Sequence, residues 1–274
     1  MGNDATPDIE ALVEETLEFL TVRPSGDEPG AFVGRPPAWF GEFLFGGFVI
    51  AQAIIAAAQD APEDRRIHSL HAYFLRPATT AGPIEYRVRP IRDGRSFSSR
   101  HLEASQAGKP VLEMSCSFTA DADGYVYDSP SGRPVPPPDD LAEEIGPGPW
   151  AARFIGPTPA NEDGTRESTH RMWFRVPMRL PDDELVHTAL LGFATDWTGT
   201  GGRPLHLDDD TTGMVSLDHA VWFHRTARAD EWLFYDVHSL VNAGGRGLLR
   251  GAMRDLDGNV VISVAQEMRI TPVT

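Results

Sequence analysis

The chain has 274 residues, a mass of 30.0 kDa and a formal net charge of −16 at pH 7. A hydrophobic fraction of 41% and a charged fraction of 23% are those of an ordinary globular protein, with room for one large core or two smaller ones. The acidic balance argues against nucleic acid and anionic membrane surfaces as general partners. No leader-like segment opens the chain and no apolar run reaches spanning length, so we expect a cytoplasmic protein without membrane insertion.

Several kinds of site are absent from the sequence. Cys116 is the single cysteine, which excludes an internal disulfide and a multi-cysteine metal site, and its strand-like neighbours place it in the core. There is neither a Gly-x-Ser-x-Gly elbow nor a phosphate-binding glycine loop. We therefore expect no metal and no cofactor.

The first half of the chain predicts a buried helix followed by strands. Residues 9–20 have helical spacing and predict a helix, or the entry from a helix into a strand, and Ala31–Val33 predicts a short strand. Between Phe48 and Ala58 only Gln52 is polar, so the helix over 45–60 has no water-facing stripe and must be buried. Four strands are predicted after it, at Ile67–Arg76, Ile84–Arg92, Ser96–Gln106 and Val111–Ala120.

The second half repeats this order after a proline-rich linker. A helix is predicted over Asp182–Asp196, with acidic residues in its first turn, and a polar loop over Ala160–Thr169. The strands predicted after this helix are Gly213–Arg225, Trp232–Val241, Gly247–Asp255 and Asn259–Thr271. A shift of 150 superimposes Gly94 and Gly108 on Gly244 and Gly258. The sequence thus predicts an α+β duplication, with halves at 1–120 and 166–274 and a linker and loop at 121–165.

Five motifs in this order resemble the TesB-type acyl-CoA thioesterase II family. They are FGGFVIAQA at 45–53, HSLHAYFLRP at 68–77, RDGRSFSSR at 92–100, LDHAVWFHR at 217–225 and VAQE at 264–267. The resemblance covers nearly the whole chain and thins in the linker. It implies a double hotdog fold, in which two halves each wrap a buried helix in a curved antiparallel β-sheet. It also implies an enzyme that hydrolyses acyl-CoA to a fatty acid and CoA.

The resemblance also implies the catalytic groups. The family holds a water with an Asp, a Thr or Ser, and a Gln, and the matching positions here are Asp196, Ser216 and Gln266. This chain departs from the family at Phe48, where a polar residue is common, and in a Gly- and Asp-rich loop at 197–212. We expect both departures to bear on substrate choice without changing the three catalytic positions.

Elementary chemistry is consistent with these roles. Thioester hydrolysis needs a base for the attacking water and donors for the oxyanion that develops. Asp196 at a helix C-terminus faces the negative end of the dipole, which disfavours its ionised form. The backbone N–H groups of Gly46 and Gly47 are our candidates for oxyanion donors, and Arg95 and Arg100 are candidates for substrate phosphates.

Plainer interpretations compete with each of these assignments. Asp196 could simply cap the following loop, Ser216 could be an edge hydroxyl, Gln266 a buried amide, and the arginines solvated surface groups. Asp218 and His219 form a rival acid–base pair, since Asp218 lies on the same nominal strand face as Ser216. Phe97, Trp222 and Phe223 are expected in the core.

Three functions follow from these alternatives. The first is acyl-CoA hydrolysis by an activated water, with acyl-CoA as the partner. The second is a non-hydrolysing acyl-CoA or acyl-lipid binding protein of the same fold, and the third a hotdog hydratase or dehydratase that uses Asp218 and His219. Because sheet edges in such folds pair between subunits, we also expect a homo-oligomer.

Overall fold

Three α-helices and fourteen strands make up the part of the chain that the computed structural model describes, which is residues 9–37, 41–145, 149–156, 169–197 and 212–272. The helices are α1 (Ile9–Phe19), α2 (Gly46–Asp60) and α3 (Glu184–Thr195), and a short 3₁₀ turn covers Pro138–Asp140. The strands are β1 (Arg23–Pro24), β2 (Ala31–Gly34), β3 (Arg66–Phe74), β4 (Ile84–Asp93), β5 (Phe97–Gln106), β6 (Lys109–Thr119), β7 (Glu144–Ile145), β8 (Ala151–Phe154), β9 (Thr169–Arg175), β10 (Thr212–Ser216), β11 (Asp218–Phe223), β12 (Leu233–Ala243), β13 (Arg246–Arg254) and β14 (Val260–Pro272).

All of the strands join one antiparallel sheet. Its order is β1-β2-β4-β5-β6-β3-β11-β14-β13-β12-β9-β8-β7, and β10 pairs with one end of β14. The two halves of the sheet meet where β3 pairs with β11, with Leu70 opposite Val221. The strand order is therefore that of two α+β halves joined edge to edge, in agreement with the predicted fold class.

The predicted helix around Phe48 is the buried helix of the first half. Every residue of α2 from Gly47 to Ala57 is buried, as its lack of a polar stripe requires. Its one polar residue in that range, Gln52, is fully hydrogen-bonded: its amide donates to the carbonyls of Phe19 and Arg35, and its oxygen accepts from the Tyr86 hydroxyl. These hydrogen bonds offset the cost of removing the amide from water, and they tie α2 to neighbouring elements.

Helices α2 and α3 pack against each other in opposite directions. Gly192 of α3 lies so close to Ile54 of α2 that a β-carbon there would overlap that side chain. Nearer the other end of the contact, the rings of Phe48 and Phe193 meet edge to face with centroids 4.6 Å apart. This antiparallel packing brings the first residues of α2 next to the last residues of α3.

The interval predicted as linker and loop contains regular structure. Strand β8 pairs with β9, placing Ala152 opposite Phe174, and β7 pairs with β8. The proline-rich segment is also tied to the second half, because Asp128 forms a 2.6 Å ion pair with Arg225. Short apolar strands within a polar, proline-rich stretch give no periodic signal. The predicted domain boundaries stay predictions, and most of the loop at 160–169 lies outside the described residues.

Two further predictions differ from the structure. Phe97 was expected in the core but is 55% exposed, because it lies on the outer face of β5. The strand predicted over 213–225 is interrupted at Leu217, between β10 and β11. The described helices include none with the length and apolar character needed to cross a membrane.

Candidate active site

Asp196 lies where α3 ends, against the beginning of α2. It is the C-cap residue of α3 and is 2% exposed. Its Oδ2 accepts a 2.9 Å hydrogen bond from the backbone N–H of Gly47. The antiparallel packing of the two helices therefore creates this contact between residues that are 149 positions apart.

Ser216 and Gln266 complete a cluster around the carboxylate of Asp196. The Gln266 amide nitrogen lies 2.6 Å from Asp196 Oδ1 and 2.7 Å from Ser216 Oγ, and it donates to both. The Ser216 hydroxyl lies 3.4 Å from the same carboxylate oxygen. The structure thus brings together the three side chains that the sequence analysis singled out.

The interruption at Leu217 decides which side chains face this cluster. On an unbroken strand Ser216 and His219 would point to opposite faces, because side chains alternate. In the structure both point inward, and the backbone N–H of Leu217 donates to Glu267 on β14 instead of continuing the alternation. The sequence pattern around Leu217 carries no signal for this break.

Burial dominates the electrostatics of the site. It raises the pKa of Asp196 to about 7, against the opposing hydrogen bonds from Gln266, Gly47 and Ser216. The C-terminal dipole of α3 disfavours the ionised carboxylate, as the sequence suggested, but the N-terminus of α2 favours it through the Gly47 N–H. The two helix ends oppose each other, so the carboxylate is poised near neutral pH by its burial.

The glycine pair at the start of α2 allows the end of α3, with the Asp196 carboxylate, to approach the α2 backbone closely. A β-carbon on Gly46 would lie 2.8 Å from Asp196 Oδ2 and 2.6 Å from the ring of Phe74. A β-carbon on Gly47 would overlap the carbonyl oxygen of Phe193. Of the two predicted oxyanion donors, the Gly47 N–H is already bonded to Asp196. The Gly46 N–H makes no hydrogen bond with the described residues.

The two arginines predicted to hold phosphates lie at the other end of α2. The Arg100 side chain is 3% exposed, and its guanidinium is bonded to Asp60 and Asp93 at 2.6 and 2.8 Å and to the Asp60 carbonyl. This saturation corrects the prediction for Arg100, which has no donor left for a ligand. Arg95 is exposed on the β4–β5 turn, and its carbonyl accepts from Arg65. The length of α2, about 21 Å, separates this end from Asp196.

The rival pair does not form an acid–base unit. The Asp218 carboxylate accepts a 2.8 Å hydrogen bond from the backbone of Glu267, whereas His219 is 1% exposed and lies 2.8 Å from the Thr195 hydroxyl. Burial lowers the pKa of His219 to about 3, so the ring is neutral at ordinary pH. Asp218 and His219 therefore have different hydrogen-bond partners and are not bonded to each other in the structure.

Sequence reasoning missed two groups beside the cluster. Thr195 is fully buried and donates to the Gly192 carbonyl at 2.6 Å, and the Tyr235 hydroxyl donates to the Thr195 carbonyl at 2.8 Å. A polar residue at the end of an otherwise apolar helix was the available signal for Thr195. In the described part of the chain, no group of three or more His, Cys, Asp or Glu side chains is arranged to hold a metal ion.

Comparison with known families identifies both halves. A model of the acyl-CoA thioesterase N-terminal domain matches residues 35–119, and a model of the C-terminal domain of the same enzymes matches residues 129–270. Together these matches cover most of the chain.

Individual proteins agree with these family matches. Human acyl-coenzyme A thioesterase 8 is 30% identical over 262 residues, which cover 84% of this chain and 81% of the human protein. Acyl-CoA thioesterase 2 of Haemophilus influenzae is 31% identical and covers 82% of this chain and 86% of its own length. The crystal structure of acyl-CoA thioesterase II TesB2 from Mycobacterium marinum superimposes with a TM-score of 0.80 at 31% identity, over 94% of this chain and 97% of that one. The predicted double hotdog fold is thereby confirmed.

Proposed function

This chain belongs to the TesB-type acyl-CoA thioesterase II family, and from that membership we propose that it hydrolyses acyl-CoA to a free carboxylic acid and CoA with Asp196, Ser216 and Gln266 as the catalytic groups. The observation that carries the assignment is the meeting of these three side chains within hydrogen-bonding distance at the junction of α2 and α3. The name of the family supports the substrate class, and the geometry supports the residues.

Asp196 acts as the general base in this proposal. Its carboxylate takes a proton from a water as the water oxygen bonds to the thioester carbon. Its pKa, raised by burial to about 7, leaves a substantial ionised fraction at neutral pH and makes it a stronger base than an exposed aspartate. The tetrahedral intermediate then expels the CoA thiolate, and the proton on Asp196 passes to the sulfur. The products are a carboxylic acid and CoA, and Asp196 is again ionised.

Ser216 and Gln266 orient the water. Both groups can donate and accept hydrogen bonds, and both already contact the carboxylate oxygen Oδ1. A water held between them and Asp196 needs no further reorganisation before attack, which is the main contribution of positioning to rate.

The oxyanion is assigned to the start of α2. The Gly47 N–H is committed to Asp196, so the Gly46 N–H and the positive end of the helix dipole are the groups left for the developing charge. Arg95 stays a candidate for a distant part of the substrate, because its side chain is exposed.

A thiol-release assay over short to long acyl-CoAs tests the proposal. We expect Asp196→Asn to lower kcat by a factor of about 10²–10⁴, the usual contribution of a general base. Asp218→Asn is the matched control and keeps its rate. Equal thiol release by Asp196→Asn and the parent protein contradicts the site assignment. Saturable acyl-CoA binding without release by the parent supports a binding protein instead, and conversion of an enoyl-CoA with its thioester intact supports a hydratase.

A cytoplasmic location and self-association belong to the same proposal. The outermost strands of the described sheet, β1 and β7, are two residues long, and the segment of Tyr125, Val126 and Tyr127 is strongly exposed. Exposed apolar groups of this kind favour contact with a second copy. Sedimentation at several concentrations measures the assembly, and a monomer at every concentration contradicts it.

A further inference from the structure

Two buried polar atoms beside the cluster have no hydrogen-bond partner among the residues that the structure describes. They are Nδ1 of His219 and Oε1 of Gln266, on side chains that are 1% and 0% exposed. Buried polar atoms are nearly always paired, and leaving one unpaired costs about 1–3 kcal/mol. The two side chains are close enough for Gln266 to oppose the lowering of the His219 pKa by burial, but the geometry between the two atoms falls short of a hydrogen bond.

The sheet register places the two side chains next to each other. Strands β11 and β14 pair with Ala220 opposite Ala265, so the preceding residue on one strand, His219, faces the following residue on the other, Gln266. The remaining nitrogen of each side chain is already engaged. His219 Nε2 lies 2.8 Å from the Thr195 hydroxyl, and Gln266 Nε2 donates to Asp196 and Ser216.

The position of the Thr195 hydroxyl proton and the tautomer of His219 are linked through the contact between the two side chains. A hydroxyl carries one proton, and that of Thr195 goes to the Gly192 carbonyl at 2.6 Å. While Thr195 donates to Gly192, the contact with His219 uses the proton on Nε2, which leaves a lone pair on Nδ1. That lone pair faces Gln266 Oε1, which is also an acceptor. In this arrangement the Asp196 carboxylate has its hydrogen-bond donors, whereas His219 Nδ1 and Gln266 Oε1 are two acceptors without a proton between them.

A rotation of the Gln266 amide resolves the conflict when Asp196 is protonated. The amide oxygen then accepts from the Asp196 carboxyl and from Ser216, and the amide nitrogen donates to His219 Nδ1. Every polar atom is then paired in the series of hydrogen bonds that runs from the Gly192 carbonyl through Thr195, His219 and Gln266 to Asp196. The 2.6 Å separation at Asp196 Oδ1 lies within the range of an O–H···O bond and just below that of a charge-assisted N–H···O bond.

The ionised state is satisfied in a different way. His219 carries its proton on Nδ1 and donates it to Gln266 Oε1, while Nε2 accepts from a Thr195 hydroxyl that has turned away from the Gly192 carbonyl. The same imidazole can therefore face either end of the amide, which no fixed donor or acceptor could do.

We propose that His219, supported by Thr195, is a positioning residue that holds the Gln266 carboxamide in whichever orientation the proton on Asp196 requires. This inference rests on the proposed function, because Asp196 gains and loses a proton in each turnover. His219 does not touch the substrate and acts through Gln266.

The groups around Asp196 make the effect measurable. Its neighbours are the Gly47 N–H on α2, Ser216 on β10, His219 on β11, Gln266 on β14 and Tyr235 on β12. Of these, burial lowers the pKa of His219 to about 3 and raises the pKa of Tyr235 well above its usual value. Asp196 itself is thus the group in this set that titrates near neutral pH.

The test is the pH–rate profile of His219→Phe, His219→Asn and Thr195→Val. A phenyl ring at 219 can neither accept from the amide nor donate to it. A buried amide nitrogen without an acceptor costs more than a buried carbonyl oxygen without a donor, so the amide keeps its donor side toward Asp196 and the ionised form is favoured. We expect kcat to fall about tenfold with KM nearly unchanged, and the acidic limb of kcat/KM to move to lower pH by roughly one unit. Asparagine at 219, whose amide can take the place of Nδ1, restores both, and Thr195→Val moves both in the same direction by less.

Failure of this inference and failure of the proposed function are distinguishable. The pH dependence of the unfolding midpoint reports the titration of Asp196 without any turnover, and it should move in His219→Phe by the same amount as the rate profile. If His219→Phe or Thr195→Val keeps the parental kcat and both pH profiles, the positioning role is wrong even if acyl-CoA is hydrolysed. If the parent releases no thiol but the unfolding profile still shifts, the coupling holds and the proposed function fails.

Discussion

Each of the two buried helices ends in an aspartate, and the two carboxylates have different partners. Asp60 ends α2 and lies 2.6 Å from the guanidinium of Arg100, which also pairs with Asp93. Asp196 ends α3 and is held by a backbone amide, an amide side chain and a hydroxyl, all of them neutral. The same residue type at the same helix end is thus part of an ion network in one half and a buried, poised carboxyl in the other.

The sheet registers show which position makes the difference. Arg100 pairs with Cys116 in the first half, and Leu249 pairs with Gln266 in the second. The shift of 150 that relates the halves superimposes Cys116 on Gln266. By strand register, Leu249, which is fully buried, stands beside Gln266 as Arg100 stands beside Cys116, whereas the shift of 150 places Arg100 one residue away, on Arg250. The comparison shows that Asp60 lies beside a buried cation whereas Asp196 lies beside a buried amide, and this difference in neighbours separates the structural carboxylate from the candidate base.

Arg100→Leu places in the first half the leucine that the second half has at Leu249. We expect it to have the largest effect on stability. It leaves Asp60 and Asp93 without their cation, and breaking a buried ion pair from one side costs about 3–5 kcal/mol. We expect about 3 kcal/mol in chemical denaturation, the low end, because the Asp93 side chain is 49% exposed. Adding Asp60→Asn should recover part of the loss. An Arg100→Leu protein as stable as its parent contradicts the structural role assigned to this network.

The pH dependence of activity is the second test of the difference between Asp60 and Asp196. If Asp196 is the base, kcat/KM rises with pH, reaches half its plateau near the pKa of about 7 and falls about tenfold per unit on the acidic side. His219 adds no limb near neutral pH, since burial lowers its pKa to about 3. Rates of thiol release from pH 5 to pH 9 measure the profile. Arg95→Leu, a change far from Asp196, is the control, and its profile should have the same shape as that of the parent protein. A profile that is flat from pH 5 to pH 9 is incompatible with the assignment.

The pH dependence of stability tests the same carboxyl without substrate. A folded-state pKa of about 7, above the ordinary value of 3.8 for an aspartate, means that the folded protein binds more protons than the unfolded chain between these values. Stability therefore decreases as pH rises through this window, and the loss is complete above pH 7. Asp196→Asn removes the loss, so its stability relative to the parent should grow by about 2–3 kcal/mol from pH 5 to pH 9. A constant difference between the two proteins over this range argues against the raised pKa.

Ser216 and its counterpart in the first half provide the smallest expected effect. Ser69 occupies the similar motif on β3, where it pairs with Trp222 and Ser117. We expect Ser216→Ala to lower kcat about tenfold, the value of one positioned hydrogen bond, and Ser216→Thr to keep most of it. Ser69→Ala is the matched control and should leave kcat unchanged. Equal losses in the two alanine variants indicate a general effect on the sheet rather than a catalytic hydroxyl.

The sequence determined much of the architecture. The absence of a polar stripe between Phe48 and Ala58 predicted the buried helix, and alternation with turn glycines predicted all four strands that follow it to within a few residues. The resemblance to one family picked out Asp196, Ser216 and Gln266. Local periodicity is informative here because burial of a helix or strand face is a property of consecutive residues.

Sequence patterns did not predict the short strands or the irregular break in the sheet. Strands β7, β8 and β9 lie in or beside the polar linker, and the break at Leu217 places His219, rather than the expected Asp218, on the face of Ser216. Arg100 showed the same limit, because a charged residue on a predicted strand gives no indication that two aspartates from other elements will saturate it.

Only the tertiary structure decided which polar groups meet. The contact of Gly47 with Asp196 joins residues 149 apart, and that of Gln266 with Asp196 joins residues 70 apart. Both depend on the antiparallel packing of α2 against α3 and on the register of β14, which are properties of the assembled core. Sequence patterns fix which faces are apolar, whereas the partner of each buried polar atom depends on distances that exist only after the elements have packed.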